Sequence, residues 1–183
     1  DKIKTFVYGG HPTVLPERTL KETSADYVII GEGYEAIVLL IKSLIKGTNV
    51  NNIDGIAYIK EDLLGNVTTV INTMPKMIDI NTLPMINWSK LNPKLYRAHN
   101  WHCFTHIDNR KPYAALYTTL GCPFHCDFCC IQAPFKQGEQ STGYSPRVNS
   151  YRRWSPESII KQIDILVNEY GVKNIKFADE IFV

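Results

Sequence analysis

The sequence predicts an α/β fold, and three observations carry that expectation. Two β-rich runs, Ile3 to Tyr8 and Tyr27 to Ile30, each end in glycines, Gly9-Gly10 and Gly31-Glu32-Gly33. A helix–strand pair closes the chain, with an apolar helical stripe followed by Asn174 to Ala178. Between them an apolar segment, Tyr113 to Tyr117, runs into a loop rich in cysteine. Strands that end in tight turns before helices are the pattern of parallel sheets, whose sites lie outside the strand carboxyl ends.

In chain order, the first strand is Ile3 to Tyr8 and the second Tyr27 to Ile30. His11 beside Pro12 reads as a solvated turn histidine. After Gly33, Ala36, Leu39, Leu40, Ser43 and Leu44 recur at three- and four-residue spacing and Gly47 supplies a stop, so a helix is expected there. Ile53 to Ile59 and Val67 to Ile71 read as a hairpin turned through Asp62, Gly65 and Asn66. From Pro75 to Pro112 periodicity disappears, and Pro84, Pro93, Trp88 and Trp101 punctuate a connector that packs by its aromatics. The polar stretch Lys136 to Ser150, with Arg147, Arg152 and Arg153 around it, reads as a lid, a substrate loop or a surface insertion. The last helix is the best marked. Ser155 caps it, Pro156 fits the first turn, Glu157 complements the dipole, and Ile159, Ile163, Leu166, Val167 and Tyr170 form one face ending at Gly171. With Tyr113 to Tyr117 and Asn174 to Ala178 it forms a β-α-β unit, right-handed by rule.

Composition excludes several classes. With 20 Lys and Arg against 18 Asp and Glu the net charge is +2, which leaves no electrostatic footprint for nucleic acid or an anionic membrane surface. The longest apolar run, Ala36 to Ile41, is too short to span a bilayer and reads as a buried helix. The start lacks a signal peptide's apolar core. Five cysteines, an odd number including the adjacent Cys129 and Cys130, argue against a disulfide scaffold and for a reducing cytoplasm. The chain opens on one strand-like run and closes on another without a terminating turn, which predicts a piece of a longer protein.

The chemistry concentrates in Cys122-Pro-Phe-His-Cys126-Asp-Phe-Cys129. This CxxxCxxC spacing puts three thiolates on one short loop, three corners of a metal centre with a fourth position open. Three soft sulfur ligands with a vacancy suit an iron–sulfur cluster. Zinc held by the three cysteines with His125 or His102 is the competing reading, although structural zinc sites usually arrive as two paired ligand units and only one is visible. Cys130 and Cys103 read as bystanders. His99, His102, Cys103 and His106 invite a second metal site, but their spacing matches none.

A strand followed by Gly-Cys-Pro-x-x-Cys-x-Phe-Cys resembles the signature of the radical S-adenosylmethionine (SAM) enzymes. The resemblance implies that Cys122, Cys126 and Cys129 hold a 4Fe-4S cluster whose open iron chelates SAM, with Phe128 flanking the adenine. It implies reductive cleavage of SAM to methionine and a 5′-deoxyadenosyl radical. Asp179 and Glu180, just past the second strand of the β-α-β unit, resemble the acidic run that contacts the amino group of SAM in the cobalamin-dependent branch; a carboxylate there suits an ammonium. A solvated acidic turn is the alternative. Gly9-Gly10 and the run Asp26 to Gly33 resemble the end of the cobalamin fingerprint of that branch, which implies cobalamin contacts by Gly9, Gly10, Gly31, Glu32 and Gly33 in the full-length protein.

The resemblance also implies an organisation and a function. Residues 1–74 are the C-terminal part of a Rossmann-like cobalamin-binding domain, 75–112 an interdomain connector, and 113–183 the first β-α-β of a radical SAM partial (β/α)6 TIM-like barrel. The implied reaction is cobalamin-dependent methyl transfer to carbon on a small-molecule substrate. The electron donor would be a protein such as flavodoxin or ferredoxin, and this piece alone would be inactive. Radical SAM cyclisation or rearrangement, and a non-catalytic iron–sulfur or zinc binding module, stay open.

Overall fold

The computed structural model describes residues 3–99 and 107–182. The fold is mixed α/β and divides into two compact units, Asp1–Ile78 with Pro123–Ser150, and Asp79–Cys122 with Tyr151–Val183. No helix of the described residues is long and apolar enough to cross a membrane.

The first unit is built on a four-stranded sheet in the order β1-β2-β3-β4. Strand β1 (Phe6–Tyr8) is followed by two short helices, α1 (Gly10–Val14) and α2 (Pro16–Thr23). Strand β2 (Tyr27–Ile29) lies parallel to β1, with Phe6 opposite Tyr27 and Tyr8 opposite Ile29. Helix α3 (Tyr34–Lys46) leads to the hairpin β3 (Ile56–Glu61) and β4 (Val67–Ile71). The hairpin joins the sheet antiparallel, β3 beside β2. The sheet is therefore mixed, with the hairpin as its continuation.

Alternation along β2 decides which helix covers which face. Ile29 packs with Ala36, Leu40, Ile53 and Ile56, whereas Val28 and Ile30 pack with Leu20 and Ala57. Helix α3 thus seals one face and α2 the other, and the strand between them is apolar throughout, as a doubly covered strand must be. Leu40 is wholly buried, so truncating it to alanine would cost about 2–5 kcal/mol. The helix stops at Gly47, whose φ of 65° lets it close the last turn. At the hairpin turn, the Asp62 carboxylate accepts from the backbone N–H of Leu64 and Asn66, each at 2.8 Å.

Two expectations change here. His11 lies not in an open turn but in α1; prolines in the first turns of α1 and α2 make helices of a stretch without apolar periodicity. The polar stretch after the cysteines is likewise not irregular at its start, since Ala133–Ser141 forms helix α4. Met77 stands 3.4 Å from where a β-carbon on Gly138 would sit, so the glycine that argues against a helix by propensity permits a close approach. The N–H of Met77 donates to Thr142 Oγ1 at 3.0 Å, and Gln137 Nε2 donates to the Thr13 carbonyl at 3.3 Å.

The second unit contains the pair β5 (Tyr113–Leu116) and β8 (Asn174–Phe177), parallel and linked through helix α5 (Pro156–Asn168). Ser155 caps α5, its hydroxyl accepting from the Ser158 N–H at 3.2 Å. Trp88 from the preceding irregular stretch is buried with Ala114, Leu116, Leu166 and Val172. Val167, read from spacing as part of the apolar face, is instead half-exposed. A short antiparallel pair, β6 (Thr119–Leu120) with β7 (Arg152–Arg153), sets Leu120 opposite Arg152. The chain leaves this unit just after β6 and returns just before β7, and the cysteine loop with α4 lies in the excursion between.

Candidate functional site

None of Cys122, Cys126, Cys129 and Cys130 is in a disulfide; Cys122 is half-buried and the other three are exposed. The N–H of Cys129 donates to the carbonyl of Cys126 at 2.9 Å, so these two cysteines flank one hydrogen-bonded turn. The carbonyl of Cys130 accepts from Ala133 N–H at 3.0 Å and so opens α4. Phe128 is almost fully exposed, and His125 is exposed. In chemistry the donor set fits an iron–sulfur cluster: soft sulfurs outside any disulfide, on irregular backbone directly after a strand, with Cys126 and Cys129 facing solvent. In geometry, no three His, Cys, Asp or Glu side chains among the described residues stand close enough together to hold a metal ion. His102, Cys103 and His106 lie outside the described residues; His99 is exposed.

Asp179 follows β8 and turns back on the end of β5. Its Oδ1 accepts from Thr118 N–H at 2.8 Å and Thr118 Oγ1 at 3.0 Å, and from both the N–H and the hydroxyl of Thr119. Burial pushes this carboxyl up, but the donors of Thr119 and Thr118 outweigh it and hold the group below the ordinary carboxylate range. Its second oxygen, Oδ2, is buried and has no hydrogen-bond partner among the described residues. Glu180 next to it is exposed.

The five residues read as cobalamin contacts divide into two kinds. Gly31 and Gly33 are buried with φ of 80° and 74°. A β-carbon on Gly31 would stand 3.0 Å from Pro75 Cγ, and one on Gly33 would stand 3.0 Å from Ile29 Cγ2. Their smallness already serves the protein's own packing. Glu32 Oε2 accepts from the Ile78 N–H at 3.2 Å. Gly9 and Gly10, by contrast, face open space, with nothing within 4 Å of a β-carbon at either. Thr13, which sequence reading missed, ties the two glycine turns together: its hydroxyl donates to Gly9 O at 2.7 Å and accepts from Gly31 N–H at 3.0 Å. A groove of about 660 Å³ beside α1 and α2, lined in part by Leu15, Arg18, Met74 and Gln137, touches none of the predicted site residues.

A second buried carboxylate also escaped the sequence. Glu139 in α4 is 1% exposed, and its Oε1 accepts from Ser150 N–H at 2.7 Å, Ser150 Oγ at 2.6 Å and Gln132 Nε2. Lys136 Nζ stands 3.1 Å from Oε2. Burial raises this carboxyl, and the Ser150, Gln132 and Lys136 donors more than compensate, leaving it lowered. Pro134 in the first turn of α4 was the signal for this helix, masked by the polar residues from Lys136 onward.

Over nearly its whole length the chain resembles cobalamin-dependent radical SAM enzymes and shares their fold. Its fold is similar to that of the cobalamin-dependent radical SAM enzyme OxsB with aqua-cobalamin bound, at a TM-score of 0.61 and 22% identity, covering 97% of this chain and 21% of that one. It is also similar to the radical SAM methyltransferase TsrM of Kitasatospora setae with cobalamin and a 4Fe-4S cluster bound, at a TM-score of 0.52 and 15% identity, covering 96% and 30%. In sequence it is 29% identical over 175 residues to an uncharacterized methyltransferase of Pyrococcus horikoshii, covering 95% of this chain and 32% of that protein. It is 26% identical over 178 residues to the anaerobic magnesium-protoporphyrin IX monomethyl ester cyclase of a Synechocystis strain, covering 96% and 30%. The chain thus spans about a third of the length of the curated relatives it matches. No protein-family model matches it.

Proposed function

We propose that this chain is part of a cobalamin-dependent radical SAM enzyme, in which Cys122, Cys126 and Cys129 hold a 4Fe-4S cluster. The observation that carries the reading is the cysteine loop: three cysteines outside any disulfide at CxxxCxxC spacing, two of them flanking one exposed turn, directly after a strand of an α/β fold. When bound, the cluster would supply the electron for reductive cleavage of SAM to methionine and a 5′-deoxyadenosyl radical. The chain's part is to hold and orient. Phe128, exposed beside the last ligand, offers a ring face to adenine. Asp179 keeps Oδ2 shielded and without a partner among the described residues, an acceptor suited to the SAM ammonium, and Glu180 adds negative charge at the same turn.

In this reading residues 1–74 belong to the cobalamin-binding domain, 75–112 to a connector and 113–183 to the beginning of the radical SAM barrel. Gly9 and Gly10 leave room for the cofactor, while Gly31, Glu32 and Gly33 shape the neighbouring turn. The reaction is methyl transfer to carbon of a small molecule, fed by a protein electron donor such as flavodoxin or ferredoxin. Similarity to a named methyltransferase supports it. Cyclisation is the second reading, favoured by the similarity to a named cyclase.

The test is anaerobic reconstitution of the whole protein with iron and sulfide, followed by SAM and a strong reductant. The expected product is 5′-deoxyadenosine, dependent on all three cysteines. A well-assembled cluster that yields none points to a binding or electron-transfer module, and a colourless zinc protein ends the radical reading.

A further inference from the structure

The cysteine turn has almost no apolar anchorage. Residues 123–130 are exposed throughout, Phe124 and Phe128 included. A loop without a core under it keeps one shape only if directed polar bonds replace packing, because each free residue otherwise retains about 1–2 kcal/mol of backbone entropy. One such bond reaches into the loop from outside it: Asn149 Nδ2 donates to the carbonyl of Phe124 at 2.6 Å. Phe124 sits two residues before Cys126.

Asn149 is itself held in place. The neighbouring Ser150 is bound by backbone N–H and hydroxyl to Glu139 Oε1, and Gln132 Nε2 donates to the Ser150 carbonyl at 3.1 Å. Lys136 Nζ donates to the Val148 carbonyl at 3.1 Å, fixing the residue on the other side. Gln132 lies three residues past Cys129. The bonds therefore close a ring: from Phe124 along the chain through Cys126 and Cys129 to Gln132, across Glu139 to Ser150, and through Asn149 back to Phe124. Every member belongs to one compact unit.

We propose that Asn149 is a positioning residue for the Cys126–Cys129 turn, acting under the buried Glu139 latch. The ring restrains the backbone of the turn before metal arrives, so that cluster binding has less of it to order. Lost outer bonds around a metal site typically cost about 10–100-fold in affinity, and a tie two residues from a ligand belongs at the lower end. The inference rests on the reading of Cys126 and Cys129 as cluster ligands.

The experiment loads the whole protein with iron and sulfide and compares wild type, Asn149→Ala, Glu139→Gln, the double variant, and Gln140→Ala as a control at an exposed position of α4. Three quantities are read: the rate of iron loss to a chelator, the EPR spectrum of the reduced cluster, and the melting temperature before loading. Asn149→Ala should lose iron about tenfold faster, with an altered EPR spectrum and an almost unchanged melting temperature. Glu139→Gln should act in the same direction, and the double variant should be no worse than the more affected single variant, since the two belong to one device. Gln140→Ala should match wild type. An Asn149→Ala cluster that is as well held and spectrally identical to wild type overturns the inference, as does simple additivity in the double variant. Should Glu139→Gln fail to fold, Asn149→Ala decides alone. A wild-type protein that takes up no cluster overturns the functional reading and this inference with it, whereas a wild-type cluster indifferent to Asn149 overturns this inference only.

Discussion

Thr118 and Asp179 are joined twice to one atom: the Thr118 N–H at 2.8 Å and its hydroxyl at 3.0 Å both donate to Asp179 Oδ1. The two residues follow the parallel strands β5 and β8, so the carboxylate fastens together the loops that leave the sheet at one end. One of those loops runs on through β6 into Gly121 and Cys122. Concentrating four donors on one oxygen stabilises the ionised form and leaves Oδ2 without a partner among the described residues.

Removing this fastening should be felt in stability and in its pH dependence. Hydrogen bonds to a charged acceptor are worth about 1.5–3 kcal/mol, and partial exposure favours the lower end, so Asp179→Ala should cost about 2 kcal/mol. The carboxyl is held below its ordinary value, 3.8. Its contribution is therefore complete above that value and lost as pH falls through the lowered one. Asp179→Asn, which does not titrate, should flatten the acid limb of a melting-temperature profile. An acid limb identical to wild type would remove Asp179 from the account.

The sheet of the first unit carries a similar device where β1 and β2 begin. Asp26 accepts from Lys4 Nζ at 2.7 Å and from Thr5 N–H at 2.9 Å, tying the residues before β1 to those before β2. The Lys4 hydrogen bond, with Thr5 behind it, lowers the Asp26 carboxyl to about 2 from 3.8. Stability from Asp26 is present above 3.8 and fades as pH falls through about 2. Because the pair lies at the surface, Asp26→Asn should cost only about 1 kcal/mol at neutral pH, and less in high salt. Urea unfolding at low and high salt checks both; a cost that does not shrink with salt would point to the Thr5 bonds alone.

These two carboxylates show what was legible in the residues. Asp179 drew notice because it follows a strand of the β-α-β unit, Asp26 only as the first residue of a run that resembles a cobalamin fingerprint, and α3, α5 and the hairpin followed from periodicity and caps. The cysteine loop was legible because ligand spacing is local. Glu139, Gln132, Asn149 and Ser150 were not, because their meaning lies in contacts across up to 25 residues of polar chain. A buried carboxylate in a polar helix looks the same in sequence as a solvated one. Thr13 was hidden for the same reason, since its bond to Gly31 crosses 18 residues.

The cysteine loop yields a sharp contrast between neighbours. Cys126 flanks the hydrogen-bonded turn with Cys129, and the visible role of Cys130 is played by its backbone carbonyl, which alanine keeps. In the whole protein Cys126→Ala should reduce cluster iron and 5′-deoxyadenosine to background, while Cys130→Ala should spare both. Cluster absorbance retained by the first variant, or lost by the second, would reassign the ligands.

The glycine turns separate a cofactor contact from a folding requirement. Gly33 has a left-handed backbone, and a β-carbon there would press on Ile29 at 3.0 Å and Ile37 at 3.3 Å. Gly33→Ala should therefore cost about 1–2 kcal/mol from backbone strain, with the contacts added, whether or not cobalamin is present. Gly10 opens α1 without a left-handed backbone and has open space where its β-carbon would lie. Gly10→Ala should leave the melting temperature of the cofactor-free protein nearly unchanged. If cobalamin passes over this turn, the same methyl group meets the ligand instead of the protein, and affinity measured by titration should fall while stability holds. Loss of affinity only in Gly33→Ala, in proportion to its loss of stability, would mean that the turn is needed for folding and that the cofactor lies elsewhere.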